Sequence, residues 1–450
     1  MKLSDYTFCV EHYPAEGDHL LFNTRTQAMV KVNDELKGVI DHFFDAENFD
    51  LKIKYCSELI RLHDMGILVE NEEEDRRNLE AFFQQLKHGI KKACLQVTVL
   101  TTDACNFSCV YCFEKDAQEN IHMDRATCTL AMDWMKKQIE RFGYEELQIV
   151  FYGGEPLLNT AGLEAIAEGM KSWCGARGVR FRFMLQTNGY LMTPEIVERY
   201  LPLGLFKAMI SVDGPAAVHD RNRPLKGGGA TFERIMKNIL GCVDKVKIGI
   251  ATSYDKDEIG HIEEMLDDFE ELGILHKLGD FVFSPIHPSF GPKNRPEAFR
   301  QMSCMCNYED DVIVRANENI RKLMEHKGLP TRNVMAIAAC PLTRQHSGVT
   351  IDQRGRIYKC NSMLGYPEFS VGDIREEGFN EKHEEFLNID AWRTCPQDCT
   401  YLPMCSGGCR FMAFLEKKDF SAPTCKKKYL DAVAPEFIKK EYESLRGKTK

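Results

Sequence analysis

Three cysteines in the stretch TTDACNFSCVYCFE, namely Cys105, Cys109 and Cys112, stand in a C-x3-C-x2-C spacing that points one loop of this chain toward metal chemistry. Thiolates are soft donors suited to iron and zinc, and a four-iron cubane takes four of them. Three leave one iron without a protein ligand, and that corner is where chemistry can happen. A zinc site is the competing reading of three thiols alone.

The chain has 450 residues and 44% apolar content, enough for a sizeable core and for two or three domains. The first ten residues, MKLSDYTFCV, lack the apolar block of a secretory signal, and no run approaches the length needed to span a bilayer. A cytoplasmic location with no membrane partner is therefore expected. In that setting 18 cysteines read as metal ligands and small buried hydrophobes rather than as disulfides. A formal charge of −10 argues against nucleic acid as the main partner and leaves a peptide open.

Residues 1–70 alternate three strand-like runs (6–12, 19–23 and 28–32) with two helical ones (34–44 and 51–65). This order, with the segment LLFNTRTQAMVKVND, resembles the small peptide-chaperone domain of the pyrroloquinoline-quinone pathway. Its relatives are leader-recognition elements fused to peptide-modifying enzymes; a cap over the barrel end is the plainer alternative. Residues 71–93 read as a linker helix, with Leu79, Phe82, Phe83 and Leu86 at helical spacing.

Between residues 94 and 300 six strand-like runs, 95–100, 148–152, 180–185, 207–212, 247–252 and 281–286, alternate with helical ones. One helical run, 125–142, has Asp124 placed to cap it and Gly143 just past its end. Six strand–helix units suggest a parallel sheet closed into a partial (β/α)6 barrel. Ligands sit at the carboxyl ends of such strands, where the motifs fall. Gly153-Gly154-Glu155-Pro156 offers close backbone approach to a ligand and a carboxylate. Thr187-Asn188-Gly189 follows the third strand, and Ser211-Val212-Asp213-Gly214 after the fourth offers a hydroxyl and a carboxylate suited to ribose hydroxyls. As plain structure, the glycines would be a strand-end turn, and Ser211 and Asp213 would cap a helix.

Together these motifs resemble the radical S-adenosylmethionine (radical SAM) superfamily. The resemblance implies that Cys105, Cys109 and Cys112 ligate a catalytic [4Fe-4S] cluster whose open iron is chelated by SAM. It places Glu155 facing the SAM ammonium, Ser211 and Asp213 near the ribose, and Tyr111 near the adenine. Thr187 and Asn188 are further SAM contacts, beside Gly153 and Gly154.

Seven more cysteines, Cys340, Cys360, Cys395, Cys399, Cys405, Cys409 and Cys425, lie among turn-forming residues and describe a region organised by metal. The pattern resembles the SPASM extension of radical SAM enzymes, with zinc as the alternative. The resemblance implies two auxiliary [4Fe-4S] clusters, hence three in all. Cys395, Cys399, Cys405 and Cys425 would hold the outer one, and Cys340, Cys360 and Cys409 the inner one. The outer set opens C-x3-C where C-x2-C is usual. His346 stands where sulfatase-maturing relatives carry a fourth inner cysteine. Cys304 and Cys306 are additional thiols that read mainly as structural.

The expected class is thus α/β. A partial (β/α)6 barrel (94–300) carries an N-terminal leader-recognition domain (1–70, small α+β, three-stranded sheet and helices) joined by a linker helix (71–93). A bridging helical region (301–339), a C-terminal iron–sulfur SPASM domain (340–430) and a C-terminal helix or tail (431–450) follow. The resemblance implies a maturase that joins a cysteine sulfur to a carbon of another residue in a ribosomally made precursor peptide. It would bind that peptide through its leader and draw electrons from an external donor such as a flavodoxin or ferredoxin. The alternatives are an anaerobic sulfatase-maturing, formylglycine-generating enzyme and a non-catalytic peptide-binding cluster protein.

Overall fold

The computed structural model describes residues 1–45, 48–90, 93–112, 114, 118–255, 258–286, 311–331 and 335–448. Cys304 and Cys306 lie outside the described residues, with 301–310 and 332–334 of the expected bridging region, whose described part contains a helix, Asp311–His326.

The chain opens with β1 (Lys2–Leu3), β2 (Thr7–Val10), β3 (Asp18–Asn23) and β4 (Met29–Asn33), and β2, β3 and β4 form an antiparallel sheet with β3 central. The near-continuous apolar run of β3 has a physical cause: successive side chains point to opposite faces, and both faces are covered. Leu21 packs into a core with Val39, Leu59 and Leu62, while Leu20 and Phe22 face Tyr401, Met404 and Phe437. Asn33 caps α1 (Asp34–Asp41) by accepting from the Leu36 amide at 2.9 Å. The single helix expected over 51–65 is broken at Tyr55 into α2 (Phe49–Lys54) and α3 (Cys56–Asp64). β5 (Leu68–Val69) returns to pair with β1, a contact too short to leave a sequence signal. The linker segment is helical, as α4 (Glu72–His88), capped by Asn71.

All six expected strands of the central region form: β6 (Leu95–Thr102), β7 (Glu146–Gly153), β8 (Arg180–Thr187), β9 (Leu205–Ser211), β10 (Lys247–Tyr254) and β11 (Asp280–Pro285). Each pairs in parallel with its neighbour in chain order. Five helices that follow strands cover the outer side: α5 (Arg125–Phe142), α6 (Thr160–Gly175), α7 (Pro194–Tyr200), α9 (Phe232–Cys242) and α10 (His261–Glu271); the short α8 (Ala216–Asn222) precedes α9. Ile149 and Phe151, Phe183 and Leu185, and Ile248 and Ile250 lie two apart, on one face of their strands, and all are buried in one core. Because the strands run the same way, Thr102, Gly153, Thr187 and Ser211 end at one rim.

The sheet does not stop at β6. β12 (Val349–Ile351) pairs in parallel with it, and β13 (Arg356–Tyr358) and β14 (Gly372–Asp373) continue antiparallel, giving nine strands. Ile351, Ile357, Tyr358 and Phe411 join the barrel core, so the C-terminal cysteine region has an apolar foundation as well as its thiols. Among the described residues no helix is long and apolar enough to cross a membrane.

Asp124 accepts from the Thr127 amide at 2.7 Å and Gly143 ends α5 at φ +67°. Asp124→Ala is expected to cost about 1 kcal/mol, measured by urea denaturation, since it orphans an amide of the first turn.

Candidate active site

The cysteine loop is pinned from two sides. After β6, the Asp103 carboxylate accepts from the amides of Glu119 (2.9 Å) and Ile121 (2.5 Å) and from the Gln353 side chain (2.9 Å). On the other side the amides of Ser108 and Val110 donate to the carbonyls of Pro224 (2.8 Å) and Asn222 (3.0 Å), and the Lys226 amide donates to Asn106 O at 2.8 Å. Phe107 anchors the middle, buried edge-on against Tyr190. With its backbone held, the loop presents Cys105, Cys109 and Cys112 to a cavity of about 320 Å³. Gly153, Gly154, Thr187, Asn188 and Ser211 line the same cavity.

The two glycines act in a way the motif does not announce. A Cβ on Gly153 would lie 2.1 Å from Thr102 O, and one on Gly154 would lie 2.3 Å from Ala104 O. Their freedom lets the end of β7 close onto the backbone that carries Cys105, so that Gly154 N donates to Thr102 O and Glu155 N to Ala104 O. Glu155 itself is fully buried behind the wall. Its carboxylate accepts from Thr187 Oγ1 (2.7 Å), Asn188 N (2.8 Å) and Leu157 N (3.1 Å), binding the ends of β7 and β8 together, while its own amide reaches the segment after β6. Burial pushes its carboxyl above the usual range, and these donors pull the other way.

Asp213 is likewise buried rather than exposed to the cavity. The Tyr111 hydroxyl donates to it, Arg223 Nη1 donates to the Tyr111 oxygen at 2.6 Å, and Arg223 lies 3.7 Å from the Asp213 carboxylate. Burial raises the Asp213 carboxyl, while Arg223 and Tyr111 favour its charge. Tyr111 is therefore held by its hydroxyl between an acid and a base. Arg223, which lines the cavity, was invisible in the sequence: nothing in its spacing separates it from Arg221, which is exposed and pairs with Glu258. Glu114, a buried acid of the same cavity, was missed for the same reason; burial raises its carboxyl to about 7.

As bare thiols, Cys105 and Cys112 are pushed up to about 11 and about 12, chiefly by burial, so metal binding there must displace protons. The C-terminal cysteines divide into two groups by mutual influence. After burial, Cys360 feels Cys340 and Cys409, and Cys340 feels Cys409. After burial, Cys395 feels Cys405, Cys399 and Cys425. His346 is apart from both: its ring packs on Phe142, and the charges acting on it, after burial, are Lys359, Arg141 and His88. Arg410 is a third residue the sequence hid. Fully buried, it donates to the carbonyls of Phe420 (2.7 Å), Ala422 (2.8 Å) and Gly407, and feels thiols of both groups. No three His, Cys, Asp or Glu side chains among the described residues gather as a single ion requires.

Residues 99–275 match the radical SAM superfamily. This region is a radical SAM domain. The domain implies a [4Fe-4S] cluster and SAM, and three thiols facing a polar cavity of this size fit that pair. Among similar proteins, an AdoMet-dependent heme synthase of Nitratidesulfovibrio vulgaris is 24% identical over 74% of this chain and 92% of its own. A cysteine-type anaerobic sulfatase-maturating enzyme of Clostridium novyi is 24% identical over 68% and 85%. In fold, the radical SAM domain and its flanks resemble anSMEcpe with bound AdoMet, at TM-score 0.61, 16% identity, and coverage of 76% and 98%. Streptococcus suis SuiB bound to its precursor peptide SuiA matches at TM-score 0.55 and 14% identity, over 94% of this chain and 98% of that one.

His219 supplies a pH test. It is wholly buried, Nδ1 accepts from the Asp213 amide at 3.2 Å, and burial, aided by Arg223, lowers it to about 3. Below the ordinary value of 6.5 the unfolded chain takes a proton that the folded one refuses, so stability falls as pH drops from 6.5 toward 3. Between pH 7 and 5 the loss from this group is on the order of 2 kcal/mol. In denaturant titrations, His219→Gln should flatten that slope.

Proposed function

We propose that this protein is a radical SAM maturase that forms a thioether between a cysteine sulfur and a carbon in a ribosomally made precursor peptide. Cys105, Cys109 and Cys112 would hold the catalytic cluster, and Gly153, Gly154, Thr187, Asn188 and Ser211 would receive SAM beside it. Glu155 and Asp213 orient that wall from behind, and Tyr111 is fixed by Asp213 and Arg223. When bound, the cluster and SAM supply a 5′-deoxyadenosyl radical able to take a hydrogen atom from an unactivated carbon. The chain's own task is to hold the acceptor carbon still and keep water from the cavity.

The observation that carries the thioether reading is the inner group of three thiols, Cys340, Cys360 and Cys409, with His346 turned onto Phe142. Such a set leaves room for a substrate cysteine as the fourth ligand. The net change would be loss of a proton from the substrate thiol and of a hydrogen atom from the acceptor carbon, with one electron left over, which clusters held by the C-terminal thiols would accept. An external flavodoxin or ferredoxin would exchange electrons with the clusters. Likeness to SuiB across 94% of the chain supports a leader-recognition role for residues 1–70 and a SPASM role for 340–430. Sulfatase maturation is the second reading, favoured by the Clostridium novyi relative.

Anaerobic protein with SAM and dithionite should release 5′-deoxyadenosine, and Cys109→Ala should abolish it. A cysteine-containing precursor peptide should lose two hydrogens together with one alkylatable thiol. An aldehyde trapped by a hydrazine would instead establish formylglycine formation, and no 5′-deoxyadenosine from iron-replete protein would end both readings.

A further inference from the structure

The loop carrying Cys395, Cys399 and Cys405 is braced by residues from the opposite end of the chain. Tyr6, buried, donates its hydroxyl to Gln397 O at 2.8 Å, between Cys395 and Cys399. Thr24, wholly buried, donates to Thr400 O at 2.5 Å, next to Cys399. The two are coupled, because Thr24 N also donates to Tyr6 O at 2.8 Å. Around these bonds Phe8 meets Tyr401 at 6.1 Å, and Cys399 packs against the apolar clusters on both sides. α4 closes the loop's other flank: Phe83 stacks on Trp392 at 4.5 Å, Lys87 pairs with Asp390 at 2.6 Å and Glu80 with Arg393 at 2.6 Å.

Two buried hydroxyls aimed at carbonyls within a six-residue stretch are more than general packing. Carbonyls in a loop with little regular structure have few other partners, and each one satisfied fixes the peptide plane, and so the direction of the flanking thiol. We infer that Tyr6 and Thr24 are positioning residues for the outer thiol group, so that the N-terminal unit completes the outer cluster site. This rests on the reading of Cys395, Cys399, Cys405 and Cys425 as one ligand set. A segment assigned to peptide recognition is thereby also a structural part of the redox site.

The test uses the full-length chain reconstituted without oxygen, comparing Tyr6→Phe with Thr24→Val, the double variant, Thr24→Ser, Tyr13→Phe and Cys399→Ala. Tyr13→Phe removes another bond between the two ends of the chain, to Glu443 at 3.0 Å and away from the thiols. The readouts are iron content, the rate of iron loss to a chelator, and the midpoint potential of each centre followed by electron paramagnetic resonance. In the double variant the outer centre should lose iron about tenfold faster, with a shifted potential, while the centre that responds to SAM is unchanged. Thr24→Ser should restore wild-type behaviour and Tyr13→Phe should leave it untouched, which separates positioning from general stability. An unaltered outer centre in the double variant, with about four irons lost in Cys399→Ala, overturns the positioning role alone. Full iron in Cys399→Ala overturns the ligand set and the positioning role with it. Equal damage to all centres, or the same damage from Tyr13→Phe, also overturns it.

Discussion

The close approach of β7 to the backbone at residues 102–104 is the constraint on which the cavity depends. It is possible only because positions 153 and 154 lack side chains, and it brings Glu155 into reach of Ala104, Thr187 and Asn188 at once. One buried residue then ties three parallel strand ends into a single rim, reaching β8 through its carboxylate and the segment after β6 through its amide. Buried charge is costly unless its oxygens are satisfied, and here each is. Rigidity at the rim follows from that satisfaction, and the cysteine loop inherits it through Asp103 and the 222–226 backbone.

Charge balance is the second consequence of burial. Thiols, Glu155 and Asp213 are all taken from water near one cavity, and Arg223 is the cation among them that touches both Tyr111 and Asp213. Arg410 occupies the corresponding place among the C-terminal thiols, its donors spent on carbonyls of the 407–422 turn. A guanidinium keeps its charge even where burial opposes it, which lysine does less reliably. Arg410 fixes backbone as well as charge, and Arg223 holds the hydroxyl of Tyr111, the neighbour of Cys112, so each shapes the loop on which a cysteine sits.

The sequence made the barrel legible because its cues are local: alternating strand and helix runs, Asp124 and Gly143 at the ends of α5, glycines at the end of β7. The cysteine groupings came from resemblance to a known family, since no local pattern assigns one thiol to another. What the sequence concealed depends on distant partners. Arg223 and Arg410 act through tertiary position, with no periodicity to mark them. β12 left no cue in its three residues, yet it extends the main sheet through β6, because edge pairing is decided by which backbone lies alongside. The glycines of GGEP were expected to admit a ligand. They are also what lets two protein backbones touch.

That last point bears on how the ends of the chain relate to its middle. β3 is apolar on both faces because one covers α1 and α3 while the other covers Tyr401, Met404 and the C-terminal helix. A unit that only had to hold a peptide would need one covered face, with the other face or an edge left for its partner. Here the second face is spent on the cysteine-bearing loop. The N-terminal unit is thus built into the C-terminal cysteine region, and whatever rests on its sheet rests on the same body that carries Cys399 and Cys405.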